Sequence, residues 1–256
     1  MKQKAFDVLG SIAIVNFPRD ATLKEKKEFA NKLIKISKPI KTVLEKSGKF
    51  SGRLRKMSTK HLAGEKTKEV LYKENNCTFR LNIDETYFSP RLSTQRKEIA
   101  SQIKKGKVLV MFAGVAPFPI VIAKNSDAEI YSNEINRKAN KYAEKNIELN
   151  KVKNKVKLIP GDIKRIAPKL KEKFDYIVMP RPQLKDTFLE QAFKLSKKGT
   201  KIFYYDFCKI DEINLIKEKV KSEAKKFKKK IKILRTEKAG DIAPYKIRLR
   251  LDFQVL

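Results

Sequence analysis

Three residues, each at the end of a predicted strand, could bind a nucleoside. Gly114 lies in FAGVAPF (residues 112–118), Glu134 follows 20 residues later, and Asp162 lies in PGDI (residues 160–163). Each follows a short apolar segment with the composition of a buried strand. A glycine lets a ligand pass close to a strand-to-helix turn, and carboxylates accept hydrogen bonds from ribose hydroxyls and an adenine amino group. Alternatively, the two acids only stabilise the starts of helices.

The number of glycines limits the choice of ligand. A dinucleotide requires the pattern G-x-G-x-x-G, because its pyrophosphate approaches the backbone at a helix N-terminus. The turn that starts at Phe112 contains Gly114 alone, followed by Pro117 in a position that suits the start of a helix. S-adenosylmethionine contains no phosphate, so one glycine is sufficient. The sequence therefore predicts that Phe112, Gly114, Glu134 and Asp162 bind S-adenosylmethionine.

A second candidate site is the segment IVMPRPQ (residues 177–183), in which an apolar strand ends on two prolines separated by an arginine. Proline fixes φ and has no backbone N–H, so Pro180 and Pro182 end the strand and stiffen the chain that follows. Pro180 can accept a hydrogen bond only through its carbonyl. Arg181 is expected to contact a phosphate or a base.

Regular alternation of strands and helices after Arg96 would bring these residues together. Strands are predicted at residues 107–112, 128–133, 155–160, 174–179 and 200–207, and helical segments at 118–124, 136–150, 163–170, 184–196 and 211–227. This alternation is typical of a doubly wound, mostly parallel sheet. Two final strands, in KKIKILRTE and YKIRLRLDFQV, predict an antiparallel hairpin at its edge. The predicted fold class is α/β, a Rossmann-like class I methyltransferase fold with a smaller N-terminal α+β domain.

The smaller domain is predicted over residues 1–85, and the cofactor-binding catalytic domain over residues 86–256. Residues 5–17 have the pattern of a hairpin, and a helical pattern runs from Leu23 to about Ser47 with an interruption at Pro39. Three strands are predicted in the segments GRLRKMS, KEVLYKENN and CTFRLNID.

The charge of the chain predicts a polyanionic partner. There are 61 Lys and Arg against 29 Asp and Glu, a formal net charge of +32, and nucleic acid is the leading candidate. Part of this excess can be solvated surface, since lysine mixed with glutamate is also typical of heat-adapted proteins.

Cys77 and Cys208 are far apart in the sequence and His61 is the single histidine, so we predict reduced thiols, no metal site and a cytoplasmic protein. Apolar segments are shorter than the ~18 residues of a membrane-spanning helix.

Several segments together resemble a known family. YFSPRLSTQR (residues 87–96), MFAGVAPF (111–118), EINRKANKYAEKNIELN (134–150) and IFYYDF (202–207) are similar to segments of the archaeal and eukaryotic tRNA methyltransferases that modify guanosine 37. The resemblance covers nearly the whole chain and implies tRNA as the partner. It also implies that Arg55 contacts the target base or the transition state, and that Tyr87 and Arg91 shape the tRNA and cofactor site. We further expect a monomer.

The chain departs from this family at three places. The family commonly begins with a separate N-terminal domain, whereas this sequence starts at the middle domain. The acid of the family's TER motif, a candidate base, is Gln95, which cannot accept a proton at neutral pH. The usual NLP after the fourth strand is Pro180-Arg181-Pro182, which resembles the archaeal branch that methylates C7 of 4-demethylwyosine.

The sequence therefore predicts an S-adenosylmethionine-dependent methyltransferase acting on base 37 of tRNA. Its favoured target is C7 of 4-demethylwyosine, with additional guanosine N1 methylation; Gln95, Pro180, Arg181, Pro182 and Arg55 are the candidate catalytic residues. Three alternatives stay open at this point: guanosine N1 methylation alone, aminocarboxypropyl transfer to the same base, and RNA binding without catalysis.

Overall fold

The computed structural model describes residues 6–48 and 57–256. The chain divides into two compact units, Met1–Pro90 and Arg91–Leu256. Each unit has its own sheets and its own hydrophobic core, and each is described by itself.

A four-stranded sheet and one helix form most of the first unit. The strands are β1 (Phe6–Leu9), β2 (Ile12–Val15), β3 (Thr42–Lys46) and β4 (Thr59–Gly64), in the order β1-β2-β3-β4 with β2 and β3 parallel. Helix α1 (Leu23–Ile36) connects the parallel pair and begins at a capping box of Thr22 and Glu25. Its buried Ala30 packs against the core of the sheet. A separate hairpin contains β5 (Glu69–Glu74) and β6 (Cys77–Asn82).

Two details of the first unit differ from the sequence prediction. The helical pattern was expected to run to Ser47, but the helix ends at Ile36 and residues Thr42–Lys46 form a strand. Pro39 stops the helix, and β3 then pairs with β2 and β4 on its two sides, which local periodicity could not reveal. Strand β4 was missed because a bulge beside Val43 interrupts the alternation of its buried residues. The segment GRLRKMS lies mostly outside the described residues.

The second unit contains seven strands and six helices in the described residues. The strands are β7 (Lys107–Val110), β8 (Glu129–Glu134), β9 (Val156–Pro160), β10 (Phe174–Met179), β11 (Ser196–Lys209), β12 (Ile231–Ala243) and β13 (Lys246–Val255). The helices are α2 (Ser93–Gln102), α3 (Pro117–Asn125), α4 (Arg137–Leu149), α5 (Ile163–Ile166), α6 (Leu189–Leu195) and α7 (Ile213–Lys226). The predicted alternation is confirmed, although α6 begins five residues later and β11 four residues earlier than expected.

The strand order of the second unit fixes where a ligand can bind. The sheet has the order β12-β13-β11-β10-β7-β8-β9, and the five strands from β7 to β11 are mutually parallel. From β7 the chain first adds β8 and β9 on one side, then β10 and β11 on the other. The direction of growth reverses at β7, and the crevice beyond the carboxyl ends of β7 and β10 is the usual ligand site of such a sheet.

The terminal hairpin is at the edge of the sheet, as predicted. Strand β13 lies between β11 and β12 and is antiparallel to both. Its alternating polar residues do not all face water: Arg250 and Asp252 are 0% and 1% exposed. The sheet is therefore covered on both faces even near its edge.

In the part of the chain that the structure describes, no helix is long and apolar enough to cross a membrane. Across these same residues, no group of three or more His, Cys, Asp or Glu side chains is placed to hold a metal ion. Cys77 and Cys208 are both buried free thiols.

Candidate cofactor and substrate site

The loop after β7 has an unusual backbone. Phe112, Gly114 and Ala116 have φ values of +57°, +58° and +66°. Left-handed backbone is costly for the two residues that carry a Cβ, so the surrounding contacts must hold this loop in place. One of them is the hydrogen bond from the Ala113 amide to the Asn133 carbonyl, 2.9 Å long. Such a loop, kept in a strained shape at the reversal point of the sheet, is suited to bind a ligand.

Glu134 ends β8 with its carboxylate directed at this loop. One oxygen accepts a hydrogen bond from the Gly114 amide at 2.8 Å, and the other accepts one from the Asn136 amide at 2.7 Å. Withdrawal from water raises the pKa of Glu134, and the backbone N–H groups oppose this shift because they favour the ionised form. Each oxygen keeps a further lone pair, so the carboxylate can still accept hydrogen bonds from ribose hydroxyls.

Two asparagines that the sequence analysis missed support this carboxylate. The side chain of Asn133 donates to the carbonyls of Ile159 and Gly161, at 2.8 and 3.0 Å. That of Asn140 donates to the Glu134 carbonyl at 3.0 Å. Both asparagines are buried. The amide of Asn133, at the end of the predicted strand AEIYSN, was the one signal that could have indicated such a role.

Asp162 stabilises the start of a helix. Its carboxylate accepts a hydrogen bond from the Lys164 amide at 3.0 Å and caps α5. This is the structural role considered as the alternative in the sequence analysis. The second carboxylate oxygen has further acceptor capacity, so contact with an adenine amino group stays a prediction.

The turn after β10 contains the two prolines. The Arg181 amide donates to the Met179 carbonyl at 2.7 Å, which closes a tight turn around Pro180. The Pro182 carbonyl accepts a hydrogen bond from the Arg181 guanidinium at 3.2 Å. The Pro180 carbonyl, in contrast, has no hydrogen-bond donor among the residues that the structure describes.

Arg181 is turned into the protein, so its expected contact with a phosphate or a base stays a prediction. The side chain is 4% exposed, and its guanidinium forms an ion pair with Asp206 and hydrogen bonds with carbonyls of its own loop. A buried guanidinium with these partners holds the loop in position. Local sequence patterns could not reveal this pair, because the partner carboxylate lies 25 residues away on another strand.

Gln95 is also buried, at 5% exposure. Its amide group donates to Glu237 at 2.7 Å, and its oxygen accepts from Arg250 at 2.7 Å and from the Tyr205 hydroxyl at 3.0 Å. Direct contact with a substrate would require this network to open. In the structure Gln95 links α2 to β11, β12 and β13, and its catalytic role stays a prediction.

Three further predicted residues belong to the first unit or to the boundary between the two units. Arg55 lies outside the described residues. Tyr87 is a half-buried residue of the first unit, and Arg91 is an exposed residue in a short turn at the start of the second. Their expected roles toward tRNA and cofactor stay predictions.

The residues at the carboxyl edge suit S-adenosylmethionine. A nucleoside without phosphates needs acceptors for its hydroxyls and a turn that it can approach closely, and Glu134 and the loop at Gly114 provide both. With its single reversed strand next to the edge of a doubly wound sheet, the fold is that of the Rossmann-like S-adenosylmethionine-dependent methyltransferases.

Within that class the chain belongs to the TRM5/TYW2 methyltransferase family. Residues 70–234 match the TRM5/TYW2 methyltransferase domain, and residues 2–67 match the TYW2 N-terminal domain. The resemblance inferred from the sequence motifs is confirmed, together with the predicted fold, the methyltransferase class and its cofactor.

Two curated relatives and one solved structure define the similarity. The chain is 35% identical over 254 residues to the tRNA (guanine(37)-N(1))-methyltransferase Trm5b of Pyrococcus abyssi, covering 98% of this chain and 74% of the relative. It is 32% identical to the tRNA (guanine(37)-N(1))/4-demethylwyosine(37)-methyltransferase Taw22 of Nanoarchaeum equitans, covering 98% of this chain and 100% of the relative. The solved complex of aTrm5 with tRNALeu has a TM-score of 0.85 at 28% identity, covering 98% of this chain and 72% of that one.

Proposed function

We propose that this chain transfers a methyl group from S-adenosylmethionine to base 37 of tRNA, with C7 of 4-demethylwyosine as its favoured target. Guanosine N1 is an additional or alternative target. The relative from Nanoarchaeum equitans, which matches this chain over its whole length, is named for both reactions. Residues 86–256 form the catalytic domain of this proposal, and the enzyme acts as a monomer in the cytoplasm.

The choice of target rests on the structure of the turn after β10. It stands at the reversal point of the sheet, beside the loop that contains Gly114. An asparagine at this position could accept and donate hydrogen bonds to a guanine edge, whereas Pro180 offers only its carbonyl. The turn is therefore stiff and able to accept, but it lacks the amide side chain that would discriminate guanine.

Proton chemistry supports the same target. Guanine N1 carries a proton that has to leave for its lone pair to reach the methyl group, so a base is needed early. A ring carbon can attack the methyl carbon first and release its proton afterwards. Carboxylates near the carboxyl edge of the described sheet already have hydrogen-bond partners: Glu134 with the Gly114 and Asn136 amides, Asp162 with the Lys164 amide, and Asp206 with Arg181 and Tyr204. None of these three is placed as an uncommitted base.

When bound, S-adenosylmethionine supplies an electrophilic methyl group. The contribution of the chain is placement: Glu134 orients the ribose, the loop at Gly114 lets the methionine part pass, and the Pro180 turn faces the crevice in which the target base would lie. Reactants held near 3 Å and in line gain on the order of 7 to 11 kcal/mol in the best cases. The net charge of +32 gives tRNA phosphates a basic surface to bind.

The direct test supplies labelled S-adenosylmethionine with tRNA that carries either guanosine or 4-demethylwyosine at position 37. We expect faster labelling of the second tRNA. Labelling of guanosine alone would exclude the favoured target and leave guanosine N1 methylation, the reaction in the name of the Pyrococcus abyssi relative. The sulfur product separates the remaining enzymatic alternative, since methyl transfer leaves S-adenosylhomocysteine and aminocarboxypropyl transfer leaves methylthioadenosine.

A Pro180→Asn variant tests whether the turn sets the target. We expect the ratio of guanosine to 4-demethylwyosine methylation to rise, because the new amide can hydrogen-bond to a guanine edge. The matched control is Pro168→Asn, the same change at an exposed proline of the second unit, which should leave the ratio unchanged.

A further inference from the structure

The loop between β10 and α6, residues 180–188, is folded around the side chain of Arg181. The Nη1 atom donates to the carbonyls of Pro182, Leu184 and Asp186, at 3.2, 3.0 and 3.3 Å. The other terminal nitrogen, Nη2, pairs with Asp206. One side chain therefore contacts three carbonyls of the loop and one carboxylate of the sheet. These four acceptors exceed the three N–H donors of a lysine ammonium, whereas a guanidinium has five.

Asp206 anchors this guanidinium to the sheet. It lies near the end of β11, beside β10, whose last residue Met179 pairs with Tyr204. One carboxylate oxygen also accepts from the Phe207 amide at 2.8 Å, and the other accepts from the Tyr204 hydroxyl at 2.7 Å. The aromatic ring of Tyr204 lies 5.5 Å from the centre of the guanidinium. The loop is thus fixed against a strand that cannot easily move.

The far end of the loop is fixed to the cofactor side of the crevice. The Asp186 carboxylate accepts from the Phe188 amide at 2.8 Å and pairs with Lys164 of α5. Phe188 has φ +57°, and its ring packs edge-on against the ring of Phe112 with centroids 4.9 Å apart. The loop after β10 and the strained loop after β7 are therefore in direct contact across the reversal point of the sheet.

This arrangement leaves one N–H donor of Arg181 without a hydrogen bond. The Nε atom of Arg181 is buried and has no acceptor among the described residues. A buried donor without a partner lowers the stability of the folded protein. The position of the guanidinium is therefore not the one that would give it the most hydrogen bonds. Such compromises are common where a loop is held in a particular shape for function.

We propose that Arg181 and Asp206 form a clamp that sets the position of the Pro180 carbonyl and thereby the choice of the methylated atom. This inference rests on the proposed function of the Pro180 turn as the target-base site. Arg181 is a positioning residue in this scheme and contacts neither substrate nor cofactor. A displacement of about 1 Å in such a turn can lower the rate about 100-fold, so loosening the clamp changes turnover and selectivity more than affinity.

Three variants loosen the clamp to different degrees. Arg181→Lys keeps the positive charge beside Asp206 but removes the planar fork to the three carbonyls. Asp206→Asn keeps the size of the anchor and removes its charge. Tyr204→Phe removes only the hydroxyl that donates to Asp206, and it remains informative if a charge change prevents folding. The matched control is Asp252→Asn, because Asp252 is equally buried beside Arg250 but lies on β13, outside the loop.

Two measurements test the clamp independently. Hydrogen exchange of the amides at positions 181 and 183–188 requires no substrate, and we expect faster exchange in Arg181→Lys and Asp206→Asn with little change in Asp252→Asn. Kinetics with both tRNA substrates should show kcat lowered about 10- to 100-fold and an altered product ratio, with KM for S-adenosylmethionine within about twofold. Tyr204→Phe should shift both readouts in the same direction by a smaller amount.

The clamp is wrong if Arg181→Lys and Tyr204→Phe exchange like the wild type, or if Asp252→Asn alters the product ratio as much as they do. Failure of the proposed function would give a different experimental result. In that case wild-type enzyme methylates neither tRNA, while the exchange experiment still decides whether Arg181 fixes the loop.

Discussion

The amide of Gly114 donates a hydrogen bond of 2.8 Å to the carboxylate of Glu134, which is 20 residues away in the sequence. This bond joins the loops after two adjacent parallel strands, β7 and β8. It orients the carboxylate, so little ordering remains to be done when a ribose binds.

Replacement of Glu134 by alanine should weaken S-adenosylmethionine binding by about 10- to 100-fold, since hydrogen bonds to a charged acceptor contribute roughly 1.5–3 kcal/mol. Calorimetric titration with the cofactor measures this loss. Affinity for tRNA should be mostly kept. The control is Glu129→Ala, an exposed acid at the start of the same strand; an equal loss in both variants would contradict the assignment.

The affinity for S-adenosylmethionine should depend on pH through Glu134. Burial raises the pKa of this carboxyl, so it takes up a proton at a higher pH than an ordinary glutamate. Only the ionised form offers all of its lone pairs to the ribose, so the Kd should rise as pH falls through that raised pKa. Titrations between pH 8 and about pH 5 measure the effect, and Glu134→Gln should abolish it.

A glutamate at position 95 should destabilise the protein, even though it restores the acid of the family motif. The new carboxylate would lie beside Glu237, which now accepts from the Gln95 amide. Two such carboxylates cannot both ionise readily, so the folded state would bind an extra proton and lose stability as pH rises. We expect a cost of about 1–3 kcal/mol that is larger at pH 8 than at pH 5. Denaturant unfolding of Gln95→Glu measures it. The control is Gln102→Glu on the same helix, where Lys201 is the partner and little cost is expected.

Arg250 should be the most sensitive residue of the buried network. It is fully buried and pairs with Glu98, Glu237 and Asp252. Arg250→Met would leave these carboxylates without their main counter-charge, and breaking a buried pair in this way costs about 3–5 kcal/mol. Arg235→Met removes a half-exposed arginine from Glu98 and Glu237 and should cost less than about 1 kcal/mol. The midpoint of urea unfolding measures both costs, and equal midpoints for the two variants would contradict the larger cost expected for Arg250→Met.

The pH dependence of stability should follow from the same network. Hydrogen bonds from Arg250 lower the pKa of Glu98 in the folded protein. A lowered carboxyl pKa stabilises the fold above the ordinary pKa of glutamate, and this contribution is lost as pH falls through the lowered value. Glu98→Gln should therefore reduce the difference in unfolding free energy between neutral and acidic pH.

Affinity for tRNA should fall steeply with salt. A chain with a net charge of +32 that neutralises several phosphates releases their counterions, so log K should decrease linearly with log salt concentration. Filter binding or fluorescence anisotropy at several salt concentrations measures the slope. A flat response would contradict the electrostatic basis of tRNA binding.

The parts of this protein that could be predicted from the sequence are those that depend on local patterns. The alternation of apolar strands and helical segments defined the sheet of the second unit. Gly114, Glu134 and Asp162 could be placed at successive strand ends, because parallel strands joined by short helices bring their carboxyl ends to one edge. Motifs such as YFSPRLSTQR then identified the family.

Contacts between distant residues were decided only by the tertiary structure. Strand β3 could not be predicted because its stability comes from pairing with β2 and β4. Arg181 and Gln95 were assigned to catalysis from their positions, but their partners lie on other strands and bury both side chains. Sequence periodicity records which face of an element is apolar. Whether a charged side chain meets solvent, a substrate or a buried counter-charge depends on which strands the fold places beside it.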